Sequence, residues 1–366
     1  MEKEKLIDVS NYLIQVIRNV LNKHEVLPIV GNKFSYRDVF KLANFHQVEN
    51  IVYEGINKFI DDDKLKQFWY KKCLMNISMC VAQEEEQKKI EETFKNRHIK
   101  FLPVKGYFLR KYYPRSDFRF MSDMDILVEK GKHKEAKKMM VDIGYQVEQY
   151  NYYHHDEYVK KPYLMIEIHR SLLPKDHQNH NYYENVFSKA KVSEDNKYFY
   201  RLSNEDLYIF NLVHFYKHYS TGGAGIRSLL DIYISLINQD LDLKYISQEC
   251  EKLGLSEFKE KMEKISLEWF KSGIESEELK KEKEFILESG VYGTSDHFVH
   301  NNLEENKGSK IKLIFKRLFP GVKKMKSLYP ILDKVVILLP FCYIHRFFRA
   351  IFSSRARNEL KQIKNK

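Results

Sequence analysis

The sequence predicts an α+β protein in which a small mixed β-sheet core is flanked by helical segments toward both ends of the chain. Short apolar segments of strand length lie in the middle of the chain, around Phe101, at 124–128 and at 164–168. Helical spacing of apolar residues precedes them and is carried by Leu65, Trp69, Cys73, Ile77 and Val81, and later by Ile90 and Phe94. The same spacing returns after Leu202.

Four segments follow from this pattern in a chain of 366 residues, which is long enough for two or three domains. We expect an N-terminal helical segment at 1–95 and an α/β core at 96–200. A C-terminal helical domain at 201–300 and a basic, aromatic-rich helical tail at 301–366 complete the chain.

Turn and capping signals subdivide the core and the helices that follow it. A helix is expected at Lys132–Ile143, with Gly144 as its C-cap, and a hairpin turn near Lys161–Pro162. Ser203 is expected to cap the next helix, because its hydroxyl can accept from a backbone N–H of the first turn. The glycines of 222–225 should separate that helix from another one.

The positive charge of the chain is concentrated in the segment 307–366. It holds sixteen Lys and Arg residues against two acidic residues, whereas the rest of the chain has a net charge of −3. We expect peripheral contact with an anionic membrane through this segment, with nucleic acid as a less favoured partner. The alternative is that these cations form a solvated helical face packed on the main body.

Composition also limits the class of protein and the cellular compartment. Because 43% of the residues are hydrophobic, a disordered chain is excluded. The four cysteines lack metal-ligand spacing and indicate buried thiols in a reducing compartment; they are Cys73, Cys80, Cys250 and Cys342. The first residues lack the apolar run of a signal peptide, so we expect a cytoplasmic protein that is free or membrane-peripheral. Val335–Ile344 is apolar but far shorter than the roughly 20 residues that span a bilayer.

Two carboxylates stand two residues apart on a segment that otherwise reads as a buried strand, Ser122–Val128. Because side chains alternate along a strand, Asp123 and Asp125 point to one face and need a compensating cation. Carboxylate oxygens are the ligands that Mg²⁺ prefers. The strand-like segment Leu164–His169 presents Glu167 by the same alternation, as a third carboxylate.

Lys105 and Gly106 connect a short apolar segment to a helix-like run at 107–113. Glycine lets backbone approach a ligand closely, and a helix N-terminus offers free N–H groups to phosphate. Lys105 and Arg119 are candidates to neutralise a triphosphate, as a point charge and as a bidentate fork. A structural ion pair between these cations and the same acids is the alternative.

The elements follow one another as a strand, a glycine turn, a helix, a D-x-D strand and a hairpin strand with one more acid. This order resembles that of the nucleotidyltransferase superfamily of DNA polymerase β-like enzymes. Motifs similar to a bacterial family of uncharacterised nucleotidyltransferases are Lys105-Gly106, Tyr113-Pro114, Arg119, Asp123-x-Asp125-x-Leu-Val, Glu167-x-His169, His214-x-x-Lys217-His218, and Arg227-x-x-x-Asp231. Late Leu-Phe-Pro and Leu-Pro segments extend the resemblance to about residues 30–350. Tyr107 stands where many superfamily members have glycine or serine, so that serine's phosphate contact is not carried over.

The resemblance implies a Mg²⁺-dependent nucleotidyltransferase, with Mn²⁺ as the alternative ion. It would move a nucleoside monophosphate from an NTP to a hydroxyl of a small-molecule or protein acceptor and release pyrophosphate. Asp123, Asp125 and Glu167 would hold two metal ions and carry catalysis. The residues expected to bind the nucleotide are Lys105, Gly106, Arg119, His169, Lys217 and His218.

The histidines of these motifs keep alternatives open. His169 either orients a ligand or is a satisfied core histidine. His154 and His155 either line the same cleft or belong to a loop. His214 and His218 share one helical face, but Phe215 stands where the H-E-x-x-H zinc motif has its glutamate, so zinc is disfavoured there.

The alternative function is that of a non-catalytic binding protein with the same fold, which uses its basic tail on an anionic membrane or nucleic acid. The presence of all three acids favours an enzyme. Because like charges on one strand face repel without metal, we expect Asp125→Asn to leave the metal-free protein at least as stable as the parent. A structural pairing of Asp125 with Lys105 or Arg119 predicts the opposite.

Overall fold

The chain folds as an α+β protein around a five-stranded mixed sheet, which confirms the fold class predicted from the sequence. A computed structural model describes residues 2–29, 31–162, 164–274, 276–291 and 319–352, the last segment with side chains to residue 348. The parts of the predicted tail at 301–318 and 353–366 lie outside the described residues. The expected boundaries near residues 95, 200 and 300 stay predictions.

Helices make up most of the two flanking segments. The N-terminal segment contains α1 (Lys3–Leu21), α2 (Tyr36–Phe45), α3 (Glu49–Ile56) and α4 (Asp63–Asn96). The core contains α5 (Gly106–Leu109), α6 (His133–Asp142) and α7 (Val186–Lys189). The helices that follow are α8 (Asn204–Thr221), α9 (Ile226–Asn238), α10 (Leu243–Lys252), α11 (Ser256–Leu267), α12 (Lys280–Ser289), α13 (Val322–Leu328) and α14 (Leu339–Phe352).

The strands lie in the middle of the chain, as predicted. The main sheet contains β1 (Phe101–Pro103), β2 (Met124–Val128), β3 (Gln146–Tyr152), β4 (His155–Lys160) and β5 (Leu164–His169). A separate two-stranded sheet pairs β6 (Lys191–Val192) with β7 (Tyr200–Arg201).

The spatial order of the main sheet is β1-β2-β5-β4-β3. Strands β2 and β5 are parallel neighbours, whereas β1 with β2, β5 with β4 and β4 with β3 are antiparallel. The register places Asp125 opposite Glu167. Because partners in register point their side chains to the same face, the two carboxylates must lie side by side.

The two faces of the sheet have different environments. One face packs on α4 and α6, where Phe94 and Met139 contact a core that includes Ile126 and Ile166. The helices before and after the α/β core share a second, larger hydrophobic core. That core joins α1–α3 to α8–α11 and so builds a rigid frame around the face that bears the acids.

Helix α4 follows its predicted apolar spacing at its start and at its end, where Ile90 and Phe94 are buried, but not in its middle. Trp69 is buried, but Ile77 is half-buried and Val81 is 53% exposed. The helix instead turns Gln83 inward, where the side-chain amide donates to the Met121 carbonyl at 2.8 Å. The part of the prediction that placed Ile77 and Val81 in the core is therefore wrong, because a polar contact to the segment before β2 selects the buried face.

The local signals for turns and caps are confirmed. The Ser203 hydroxyl accepts from the backbone N–H of Asp206 at 3.0 Å and begins α8. Gly144 follows α6 with a φ of +92°, a conformation that glycine adopts without strain. The glycines of 222–225 separate α8 from α9.

The cysteines are free and buried, as expected. Within the described residues, no helix combines the length and the apolar character that crossing a bilayer requires.

Candidate active site

A cavity of about 550 Å³ opens between the acid-bearing face of the sheet and helices α8 and α9. Its volume lies within the range of ligand pockets, about 300–1,000 Å³. Every site residue predicted from the sequence lines it, namely Lys105, Gly106, Arg119, Asp123, Asp125, Glu167, His169, Lys217 and His218. Residues that are up to about a hundred positions apart in sequence therefore meet in one place.

Asp125 and Glu167 form the centre of the acidic group, and His169 lies between them. The His169 Nε2 is 2.9 Å from Asp125 Oδ1 and 3.2 Å from Glu167 Oε2. The position of His169 on β5 explains this contact, because it follows Glu167 by two residues and points to the same face. His169 is buried and contacts both acids, and its predicted role in orienting a ligand stays a prediction.

The charge on Asp125 is compensated within the protein itself. Lys105 Nζ lies 2.6 Å from Asp125 Oδ1, and both side chains are largely shielded from solvent. Burial opposes ionisation, but the Lys105 ammonium and the His169 ring outweigh it and hold the pKa of Asp125 well below its usual range. The expectation that repulsion dominates at Asp125 is therefore wrong, and the pairing with Lys105 is the alternative that the structure supports.

Asp123 has the opposite electrostatic character. Burial and the neighbouring Asp125 charge raise the pKa of Asp123, although the Ser122 hydroxyl donates to its Oδ1 at 2.7 Å. Asp123 lines the cavity but belongs to none of the sets of three or more potential metal ligands among the described residues. The two aspartates thus share a cavity but differ in their pKa shifts.

Lys105 reaches Asp125 from a strained backbone position. Its φ is +57° and its ψ is −125°, a combination that is unfavourable for a residue with a Cβ. Strain of this kind costs on the order of 1–3 kcal/mol and is concentrated at functional sites. The left-handed backbone of this turn therefore lies at Lys105, one residue before the glycine.

The close approach predicted at Gly106 is made by a protein side chain. A Cβ at Gly106 would overlap the Arg119 guanidinium and the Met121 sulfur. Helix α5 has only four residues, which is too short for the phosphate-binding helix N-terminus that the sequence suggested. Gly106 therefore makes room for Arg119.

Arg119 pairs with Asp231 of α9, and the alternative pairing with Asp123 or Asp125 is not formed. Its Nε and Nη2 donate to Asp231 Oδ1 and Oδ2 at 2.8 and 2.9 Å. The Tyr113 hydroxyl donates to the same carboxylate at 2.8 Å. Because this network joins the segment before β2 to α9, it fixes the two walls of the cavity against each other.

Helix α8 contributes a basic wall opposite the acids. Burial, reinforced by the nearby Lys105 charge, lowers the pKa of Lys217 to about 8. In the part of the chain that the structure describes, Lys217 Nζ has no hydrogen-bond or ion-pair partner. Burial and the Lys217 charge lower the pKa of His218 to about 3, so this ring is neutral, and it lies 3.0 Å from the His214 ring nitrogen.

The donor set near Glu167 fits a divalent cation. Asp125, Glu167 and His169 each offer one ligand atom, and these atoms lie within 4.8 Å of one another. Two hard carboxylates suit Mg²⁺ or Mn²⁺, and an added imidazole is a ligand that Mg²⁺ rarely takes. The residues present therefore fit a bound ion, with His169 in the set and Asp123 outside it but lining the same cavity.

Sequence reasoning missed Glu157 and left His155 open. Glu157 lies opposite Glu167 in the β4–β5 register, and His155 Nε2 is 3.2 Å from Glu157 Oε1. His155, Glu157 and Glu167 form a further set of potential ligands. The available signal was the two-residue spacing of His155 and Glu157 just before the hairpin, which places both on the face of Glu167.

The fold and the site together define a nucleotidyltransferase-like protein: a mixed sheet that presents paired acids into a ligand-sized cavity with a basic opposite wall. The model of a family described as uncharacterised nucleotidyltransferase matches residues 32–271, and the chain belongs to that family. The match ends well before residue 350, so the late Leu-Phe-Pro and Leu-Pro segments lie outside it. No curated protein and no solved structure matches the chain.

Asp125→Asn should destabilise the metal-free protein. Because the substitution removes one member of a buried ion pair, we expect the free energy of unfolding at pH 7 to fall by about 3 kcal/mol. The folded-state pKa lies below the unfolded value of about 3.9, so the stabilisation is present above about pH 4 and is lost as the pH falls through the folded pKa. Urea denaturation in EDTA at neutral and at acidic pH measures both effects.

Asp123→Asn is the matched control on the same segment. A raised pKa means that the charged form is unfavourable in the folded protein at pH 7, so this variant should be as stable as the parent or more stable. Equal stability of the Asp125→Asn variant and the parent at pH 7 would contradict the pairing of Asp125 with Lys105.

Proposed function

We propose that the protein is a Mg²⁺-dependent nucleotidyltransferase, with Mn²⁺ as the alternative ion. It moves a nucleoside monophosphate from an NTP to a hydroxyl of a small-molecule or protein acceptor and releases pyrophosphate. The observation that carries the proposal is Lys217, a partly buried cation without a hydrogen-bond or ion-pair partner among the described residues, across one cavity from Asp125 and Glu167. Such an arrangement suits a ligand that brings both negative charge and a metal ion.

The acids would hold the metal. Asp125, Glu167 and His169 have converging ligand atoms, and Asp123 lines the same cavity. When bound, the metal supplies charge neutralisation for the triphosphate and lowers the pKa of the acceptor hydroxyl. Burial and the Asp125 charge outweigh the Lys105 ammonium and raise the pKa of Asp123, so an added cation would favour the charged form of this carboxylate.

The chemical step is an in-line displacement at the α-phosphorus. The acceptor oxygen forms a bond to that phosphorus while the α–β phosphoanhydride bond breaks and pyrophosphate leaves with the bonding electrons. The hydroxyl proton goes to a carboxylate of the site, for which Glu167 and Asp125 are the candidates. Lys217 stabilises the negative charge of the leaving pyrophosphate, because no protein carboxylate competes for it among the described residues.

Lys105 and Arg119 take different parts in this proposal. Lys105 pairs with Asp125 in the metal-free protein. When a metal ion neutralises the carboxylates, the Lys105 ammonium is free to bind a phosphate instead. Arg119 is occupied by a bidentate pair with Asp231, so it shapes the wall of the cavity. Gly106, His169 and His218 complete the walls around the nucleotide.

Nucleotide binding should depend on Lys217. A ligand that binds only the folded state stabilises it by about 2.7 kcal/mol at a hundredfold excess over Kd. Mg²⁺ with at least one of the common NTPs should therefore raise the Tm of the parent, and EDTA should abolish the rise. In Lys217→Met the rise should be much smaller, because the cation that meets the polyphosphate is gone.

The same variant gives an internal control. A lowered lysine pKa means that the charged form is unfavourable in the folded protein below about pH 8, so Lys217→Met should melt at or above the parent without ligand. A variant that folds well and binds less nucleotide separates binding from stability. The absence of a Tm shift with every NTP, or an equal shift in Lys217→Met, would contradict the proposal.

The described part of the tail favours a second role, at an anionic membrane. Four large apolar side chains are exposed in the described part of the tail, Ile337 in the turn before α14 and Phe341, Ile344 and Phe348 along α14. The opposite side of α14 packs inward through Cys342, near Met325 and Leu332. An exposed apolar stripe beside many Lys and Arg residues is typical of helices that lie in the interface of anionic membranes. In this proposal the protein is cytoplasmic and peripheral to the membrane.

Lipid binding should require both the stripe and low salt. We expect the parent to float with phosphatidylserine vesicles and to dissociate as salt rises, because each basic residue near the surface contributes about 1 kcal/mol. Phe341→Ala with Phe348→Ala should weaken flotation, whereas Phe68→Ala, at an exposed apolar site on α4, should not. Binding to RNA or DNA with no binding to vesicles would favour nucleic acid as the partner of the tail.

A further inference from the structure

Three histidine rings meet where β4 begins and β5 ends. The register pairs His155 with His169, and His154 directly precedes β4. The ring centroids are 4.8 to 5.3 Å apart. One nitrogen from each ring lies within 4.8 Å of the other two. His154 and His169 are more than nine-tenths buried and line the cavity.

Hydrogen bonds fix which nitrogen of two rings carries a proton. His169 Nε2 is 2.9 Å from Asp125 Oδ1, and His155 Nε2 is 3.2 Å from Glu157 Oε1. An ionised carboxylate only accepts, so each ring donates its Nε2–H, and Nδ1 is the nitrogen left to bind an ion once it carries no proton. Carboxylates hold metal-binding histidines in the same way.

The Nδ1 atoms of all three rings lack partners. They are buried, and none has a hydrogen-bond partner in the part of the chain that the structure describes. Glu167 Oε2 is 3.6 Å from the His155 Nδ1, which is too far for a hydrogen bond. Because buried polar atoms without partners are costly, three of them in one cluster point to a missing ligand.

We propose that His154, His155 and His169 form a binding site for a transition-metal ion such as Zn²⁺. Neutral imidazoles suit zinc and related ions, whereas Mg²⁺ prefers oxygen ligands. Three imidazole ligands at about 2.1 Å leave the fourth position of a tetrahedral ion open toward the cavity.

The site shares His169 with the ligand set of the proposed nucleotidyltransferase, but it does not depend on nucleotidyl transfer. The two are nevertheless linked, because His169 offers Nδ1 to the ion and keeps Nε2–H on Asp125. A bound ion would fix the His169 ring and thereby the direction of the Asp125 carboxylate. His169 would then be a positioning residue for the acids as well as a metal ligand.

The full-length chain, stripped of metal by a chelator and held in excess Mg²⁺, is titrated with Co²⁺ and Zn²⁺. Co²⁺ should give the visible absorption of a tetrahedral nitrogen site with a single equivalent, and Zn²⁺ should displace it. His154→Gln and His155→Gln should each lower the Zn²⁺ affinity by at least about a hundredfold, since even outer partners of a metal ligand contribute 10- to 100-fold. Circular dichroism melts confirm that both variants fold.

Two controls separate this site from its surroundings. His214→Gln removes an imidazole that lines the same cavity but belongs to none of the ligand sets, and it should keep the parent affinity for Zn²⁺. Asp123→Asn should also keep it, even if nucleotide binding is lost. Unchanged affinity in both His154→Gln and His155→Gln, or an equal loss in His214→Gln, would overturn the proposal.

Discussion

The burial of the Asp125 carboxylate on a central strand is the constraint on which the rest of the site depends. A charge that is 4% exposed is stable only with partners of opposite charge or with hydrogen-bond donors. Lys105 and His169 supply both, one from a strained turn before α5 and the other from the neighbouring parallel strand. The positions of β1, β2 and β5 are therefore coupled. Asp125 lies on β2, His169 lies on β5, and β1 ends two residues before Lys105.

The helices hold the wall of the cavity that lies opposite the Asp125 carboxylate. The N-terminal and C-terminal helices share one hydrophobic core, which sets α8 and α9 across from the sheet. Arg119 and Tyr113 bind Asp231 of α9 and thereby lock the distance between the two walls. Lys217 faces the acids from α8 but does not reach an anion within the described chain. The frame thus holds a cation and an anion group apart, with space for a ligand that carries both charges.

The sequence was sufficient for the features that depend on local patterns. Strand alternation predicted that Asp125 and Glu167 share a face, and Ser203 and Gly144 predicted where helices begin and end. It could not predict which cation meets which acid, because Lys105 and Arg119 are equivalent in pattern and only the fold brings Asp231 to Arg119. Val81 was misplaced for a similar reason, since a tertiary contact of Gln83 decides which face of α4 is buried.

The central claim is that this cavity transfers a nucleoside monophosphate, and a label on the α-phosphate tests it most directly. The full-length protein is incubated with Mg²⁺, each α-labelled NTP in turn, and an extract that supplies acceptors. The account predicts a labelled product and released pyrophosphate with at least one NTP, and loss of both in Asp125→Asn and Glu167→Gln variants that still fold. Transfer that persists undiminished in both variants, or no transfer with any NTP and extract, would contradict it.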